Sequence, residues 1–198
     1  MSDTVLSVWD GVDLNYHNLI NIFLHHLEVP ASFIPGSLLL GGMAWWWAPR
    51  QGWDRKFAVL AGCGLALALA LTVVRPFGQF PAGGLSPLAT LRVCTVGSIS
   101  LVHLYEELNV VMLVPFAIFA ALATRRPLLV AVSSMLISAF IEYVQGATGG
   151  GECQVRDIVH NTLGGVLGVL VAVFVLRLRA RQSGEVTPSV AAGSGSSR

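Results

Sequence analysis

The sequence predicts an all-α, polytopic membrane protein: a bundle of about five transmembrane helices with its N-terminus outside and its C-terminus in the cytoplasm. Composition is the first observation behind this reading. Only 12% of the 198 residues are charged and 54% are hydrophobic, with a mean hydropathy of +0.69. An ordinary soluble domain carries roughly 25% charged residues to coat its surface. The second observation is that apolar windows of the length needed to cross a bilayer, about 20 residues, recur along the chain. The third is the placement of basic residues between those windows. A net charge of +1 creates no phosphate-seeking field, so nucleic acid is not an expected partner.

The first window, Val29 to Trp47, is interrupted by Pro30, Pro35 and glycines, and closes with Trp45, Trp46 and Trp47 beside Arg50, an interface anchor. The second, Phe57 to Val74, is built mainly of Ala, Leu, Gly and Val and stops at Arg75-Pro76. The third spans about Leu104 to Ala123 and ends at Arg125-Arg126-Pro127. The fourth covers Leu128 to about Gly146. The fifth runs from Ile158 to Leu176 and stops at Arg177, Arg179 and Arg181. Residues 29–176 are thus read as the membrane domain. Residues 1–28 form an extracytoplasmic segment in which Tyr16, Leu19, Ile20, Phe23, Leu24 and Leu27 recur at helical spacing. That pattern suits either an interfacial helix or an extension of the first span. Residues 177–198, rich in Gly and Ser at their end, read as a disordered cytoplasmic tail. No signal peptide is expected, since no positively charged start precedes an apolar run and a cleavage site.

Orientation follows from Lys and Arg. With the N-terminus outside, Arg50, Arg55, Lys56, Arg125, Arg126, Arg177, Arg179, Arg181 and Arg198 are cytoplasmic, and only Arg75, Arg92 and Arg156 lie outside. All five histidines, His17, His25, His26, His103 and His160, then fall on or near the outer side, as do most of the acids. The outer face is therefore where a site is expected.

Glu142 carries most of the information. It lies in the last turn of the fourth helix within an apolar context, and Gln145 is one turn on. An ionisable group inside a span costs a few kcal/mol and marks function unless it reaches the headgroups. At the start of the fifth helix stand Arg156, Asp157, His160 and Asn161. Asp157 is at the expected N-cap, and Asn161 is one turn further in. Glu142, Gln145, Asp157 and Asn161 are expected to form a polar cluster just below the outer surface, with Arg92 or Arg156 within reach of a phosphate headgroup. Gly164, Gly165 and Gly168 make a close-packing surface for another helix, either within the chain or in a homo-oligomer.

This combination resembles the VanZ-like family of small membrane proteins. The residues that carry the resemblance are Ile141-Glu142-Tyr143-Val144-Gln145 and Asp157-Ile158-Val159-His160-Asn161-Thr162-Leu163-Gly164-Gly165 with Gly168. The stretch Asn109 to Pro115 looks like that family's Asn-to-Pro segment. The resemblance covers roughly residues 69–175. This chain departs from the pattern at Ala117, where the family usually has Gly, and at Gly151 and Gln154, where it usually carries an Arg and a further Asp. The resemblance implies a multi-pass protein of the bacterial plasma membrane. The founding member is associated with low-level resistance to teicoplanin, which acts on outer-leaflet cell-wall precursors. A lipid or lipid-linked cell-wall precursor is accordingly the expected partner.

Other chemistry finds less support. Glu106-Glu107 beside His103 suggests a prenyl-endopeptidase motif, but Val111 stands where that motif has Arg. No Ser or Cys has a base and an orienting partner, no phosphate loop is evident, and no metal or cofactor is expected. A non-enzymatic envelope protein is favoured. The alternatives are a membrane enzyme acting on an envelope lipid, with Glu142 or Asp157 as acid or base and His160 assisting, and a structural or assembly protein. Cys63 reads as a packing residue. Cys94 and Cys153 both fall in outer loops, where a disulfide persists if the two are close, and the sequence leaves open whether they are.

Overall fold

The computed structural model describes residues 27–74, 94, 109–148 and 153–185, and these contain five α-helices: α1 (Glu28–Trp47), α2 (Arg55–Leu69), α3 (Val114–Thr124), α4 (Pro127–Thr148) and α5 (Val155–Glu185). Three apolar stretches are long enough to cross a membrane, Arg55–Thr72, Pro127–Thr148 and Val155–Gln182, as befits an integral membrane protein. The apolar helix around α3, Asn109–Thr124, is shorter. The 20-residue α1 has its hydropathy diluted by Pro30, Pro35, its glycines and three tryptophans. The N-terminal segment with its interfacial pattern, His17, His25, His26, Arg92, His103, Glu106, Glu107 and the tail from 186 lie outside the described residues.

Local chemistry sets the boundaries. α1 ends in a 3₁₀ turn, Ala48–Gln51, which Gly52 closes in the left-handed region at φ 66°. Asp54 then caps α2, accepting the N–H groups of Lys56 at 3.0 Å and Phe57 at 3.3 Å. α2 continues as a π-helical turn over Ala70–Val74. Arg125, at φ 55°, terminates α3, and Pro127 opens α4 two residues later. α5 begins at Val155, ahead of the Ile158 expected from hydropathy. It also runs on to Glu185, so residues 177–185 are helical where a disordered tail is expected. Leu, Arg, Ala and Gln at 178–182 are good helix formers, and apolarity alone does not mark where a helix stops.

Contacts link the helices in the order α1, α2, α3, α5, α4, with α3 and α5 at the centre. The interior is made of small residues, including Ala61, Ala117, Ala121 and Ala172, while Leu136, Phe140, Leu170 and Phe174 point outward. This inside-small, outside-large pattern is expected where lipid supplies no hydrophobic push and helices associate by close van der Waals packing. Glycines set the tightest approaches. A Cβ on Gly164 would collide with the Val110 carbonyl, one on Gly165 with the Ser134 side chain, and one on Gly168 would lie 2.7 Å from the Val114 carbonyl oxygen. One edge of α5 therefore packs on the backbone of the α3 segment and another on α4.

The α1–α2 turn, the α3–α4 turn and the C-terminal half of α5 share one end. The Asp54 N–H donates to the Ala123 carbonyl at 3.2 Å, and the Arg179 guanidinium stands 5.5 Å from the Phe57 ring centroid. Arg50, Arg55, Arg125, Arg126 and Arg179 thus gather there. Cys153, Gln154 and the start of α5 occupy the opposite end.

Gly164→Ala and Gly168→Ala are expected to lower stability by about 1–3 kcal/mol each through overpacking, read as a depressed Tm in detergent. Gly42→Ala, whose added Cβ meets nothing within 4 Å, is expected to leave the Tm unchanged.

Candidate functional site: a buried polar seam between α4 and α5

Along α4, Ser134, Ser138 and Glu142 recur every fourth residue and are buried, so they form one row. Ser134 Oγ donates back to the Val130 carbonyl at 2.9 Å. Ser138 Oγ lies 3.4 Å from the Ile158 carbonyl of α5, reaching across the interface. Glu142, only 3% exposed, accepts the backbone N–H of Gln154 on Oε2 at 3.1 Å.

This contact has a specific logic. The Gln154 carbonyl accepts the N–H groups of Asp157 at 3.1 Å and Ile158 at 3.4 Å, so Gln154 occupies the N-cap position of α5 by its backbone bonding. Its own N–H is supplied with an acceptor by Glu142. The carboxylate therefore sits at the positive end of α5, where a negative charge is favoured. Asp157, expected at the N-cap, lies instead within the first turn, because the helix begins earlier than apolarity suggests.

Three further ties hold the same turn. Arg156 Nη2 donates to Gln154 Oε1 at 2.8 Å, and Arg156 Nε pairs with Asp157 Oδ1 at 3.6 Å. Cys153 is disulfide-bonded to Cys94, with a Cα–Cα separation of 4.6 Å. Gln145, by contrast, turns away from α5. Its Nε2 donates to the Thr72 carbonyl at 3.0 Å, within the π-turn that ends α2, where terminal carbonyls lack helical partners. The expected cluster is thus divided: Glu142, Arg156 and Asp157 meet around Gln154, while Gln145 ties α4 to α2.

One turn inside α5 lie His160, fully buried, and Asn161, 1% exposed. His160 shares a row with Gly164 and Gly168 against α3. Asn161 shares a row with Gly165 against α4. Among the described residues, neither His160 Nδ1 nor Nε2, nor Asn161 Oδ1, has a hydrogen-bond partner. An unmade hydrogen bond of this kind costs about 1–3 kcal/mol, and buried polar groups without partners require a physical explanation. Among the described residues no group of three His, Cys, Asp or Glu side chains is arranged to hold a metal. The arrangement offers an acceptor, two imidazole nitrogens and a nearby helix N-terminus, which suits hydrogen bonding to a polar ligand.

Sequence reading passed over Ser134 and Ser138, although their spacing of four from each other and from Glu142 marks the same face. Thr72 acts through its backbone carbonyl and leaves no side-chain signature, and Gln154, visible in the sequence only as a departure from the family pattern, serves through its backbone groups and through Oε1, which accepts from Arg156.

The family model described as VanZ/LLP1 matches residues 77–177, just over half of the chain, and this range includes the α4 and α5 residues of the seam but not Thr72. No curated protein and no solved structure matches the chain.

Glu142→Ala is expected to cost about 1–3 kcal/mol by leaving the Gln154 N–H unpaired. Glu142→Gln, which keeps a carbonyl acceptor, is expected to cost less, as measured by thermal unfolding in detergent. Alkylation without reductant is expected to modify Cys63 alone, and reduction to expose Cys94 and Cys153 to the reagent. Labelling of all three before reduction contradicts the bridge.

Proposed function

The chain belongs to the VanZ/LLP1 family, and we propose that it is an envelope protein of the bacterial plasma membrane whose polar seam engages a lipid or lipid-linked cell-wall precursor. In this reading α1 to α5 all span the bilayer. The N-terminus is outside, the C-terminus is cytoplasmic, and the disulfide-bearing end faces the outer leaflet. The clustering of arginines at the other end supports that orientation, as does a disulfide on the oxidising side.

The single observation that carries the reading is the buried pair His160 and Asn161, whose ring nitrogens and Oδ1 respectively have no hydrogen-bond partner among the described residues. A precursor headgroup, rich in hydroxyl, amide and phosphate groups, supplies both donors and acceptors. Asn161 Oδ1 accepts a hydroxyl or amide proton, and His160 donates through one nitrogen and accepts at the other. Arg156 meets phosphate, while Glu142 holds the start of α5 in position. Occupying a lipid-linked precursor in this way alters susceptibility to a glycopeptide that acts on the same molecule, the property associated with the family's founding member.

Expression in a sensitive Gram-positive host is expected to lower teicoplanin susceptibility relative to vancomycin, and His160→Ala with Asn161→Ala, at equal membrane levels, to abolish the effect. Unchanged susceptibility with the native chain removes the resistance function. A purely structural protein tolerates the double substitution. An enzyme with Glu142 as acid or base loses all effect in Glu142→Gln, whereas a binding protein retains most of it. A reporter fused after Arg198 is expected to read as cytoplasmic.

A further inference from the structure

A separate apolar groove lies at the basic end, away from the polar seam. α1 packs on α2, and α4 on α5, but α1 and α4 do not pack closely on each other. Between them is an apolar groove of about 480 Å³. Its floor is small: Ala58, Ala61 and Gly62 of α2 and Ala120 of α3. Its lips are large and outward-facing, with Met43 59% and Leu129 49% exposed. The groove holds two hydroxyls, and both are already committed within their own helices. Thr124 Oγ1 donates to the Ala120 carbonyl at 2.8 Å, and Ser133 Oγ to the Leu129 carbonyl at 2.8 Å. A sugar or peptide would therefore find no polar partner inside, whereas hydrocarbon meets only carbon.

The mouth of the groove is different. Trp46 and Trp47 line it, the residues that sit at the level of lipid headgroups. Arg50 stacks on Trp46, 3.6 Å from its centroid, and donates to the Trp46 carbonyl at 2.6 Å. Across the groove, Arg126 stands two residues after Thr124, at the start of α4. Hydrocarbon below, with the Arg50 guanidinium and the start of α4 at Arg126 above, matches a lipid with an apolar chain and a negative headgroup. Basic pockets between membrane helices recognise anionic headgroups in this way.

We propose that this groove binds one acyl chain of an anionic glycerophospholipid, with its phosphate held by Arg50 and Arg126. The site is independent of the polar seam and of any role in glycopeptide susceptibility.

The test is native mass spectrometry of the full chain in detergent, with phosphatidylglycerol or phosphatidylcholine added at equal concentration. The expected result is a single phosphatidylglycerol adduct retained at least several-fold more than phosphatidylcholine. Arg50→Gln with Arg126→Gln is expected to bring that ratio close to one. Ser133→Phe places a ring in the groove from the lipid-facing side of α4 and is expected to remove the adduct, with helicity and Tm retained. Ala44→Phe, from the opposite wall, serves if Ser133→Phe does not fold. Equal retention of both lipids by the native chain overturns the proposal. So does an adduct that persists in a folded groove-filling variant, or a dimer that disappears on filling the groove while no lipid is bound.

Discussion

The close approach of α5 to its two neighbours governs the rest of the structure. In a bilayer, apolar side chains gain little by leaving lipid for protein, so helix association depends on contact distance and on interhelical hydrogen bonds. Gly164 and Gly168 let α5 rest on backbone near Val110 and Val114, and Gly165 lets it rest on Ser134. Side chains at these positions would push α5 outward. The polar residues one turn earlier would then face lipid or water instead of the interior. His160 and Asn161 are buried because the glycines below them are glycines.

That burial carries a cost which the seam offsets only in part. Glu142 gains the N-terminus of α5 and the Gln154 N–H, Ser138 reaches the Ile158 carbonyl, and Arg156 bridges Gln154 and Asp157. The Cys94–Cys153 disulfide fixes the residue immediately before that turn. A helix start held from four directions is rigid, and rigidity is what a site needs to present unpaired groups such as His160 and Asn161 in a defined geometry. The surrounding turn is over-determined, while the groups beneath it are under-satisfied. That contrast is the physical basis of the proposed ligand site.

Much of this is legible in the sequence, for physical reasons that differ by level. Helix class and approximate position follow from apolar windows, and residues 141–168 announce the family through Glu142, Gln145, Asp157, Asn161 and the glycines. Boundaries are less accessible. α5 starts before its apolar run because Val155, Arg156 and Asp157 make an ordinary polar first turn. It continues past Leu176 because arginines do not stop a helix. Spacing groups Gln145 with Glu142, yet a spacing of three leaves room for the two side chains to diverge, one to α5 and the other to Thr72. The backbone roles of Thr72 and Gln154 have no sequence signal, although Gln154 stands out as a departure from the family pattern. Hydropathy predicts about five spans, and three long apolar ones are present among the described residues. Proline, glycine and tryptophan dilute α1, and the apolar helix around α3 is short.

The central claim is that His160 is held unpaired in order to meet a ligand. The most direct measurement is the imidazole ¹⁵N spectrum of His160 in nanodiscs, with the other four histidines replaced, before and after addition of a short-chain lipid-linked cell-wall precursor. The account predicts that the His160 nitrogen resonances shift on addition, and that Asn161→Ala weakens the response. Resonances that stay fixed while the precursor binds, or that already report a strong hydrogen bond in its absence, contradict it.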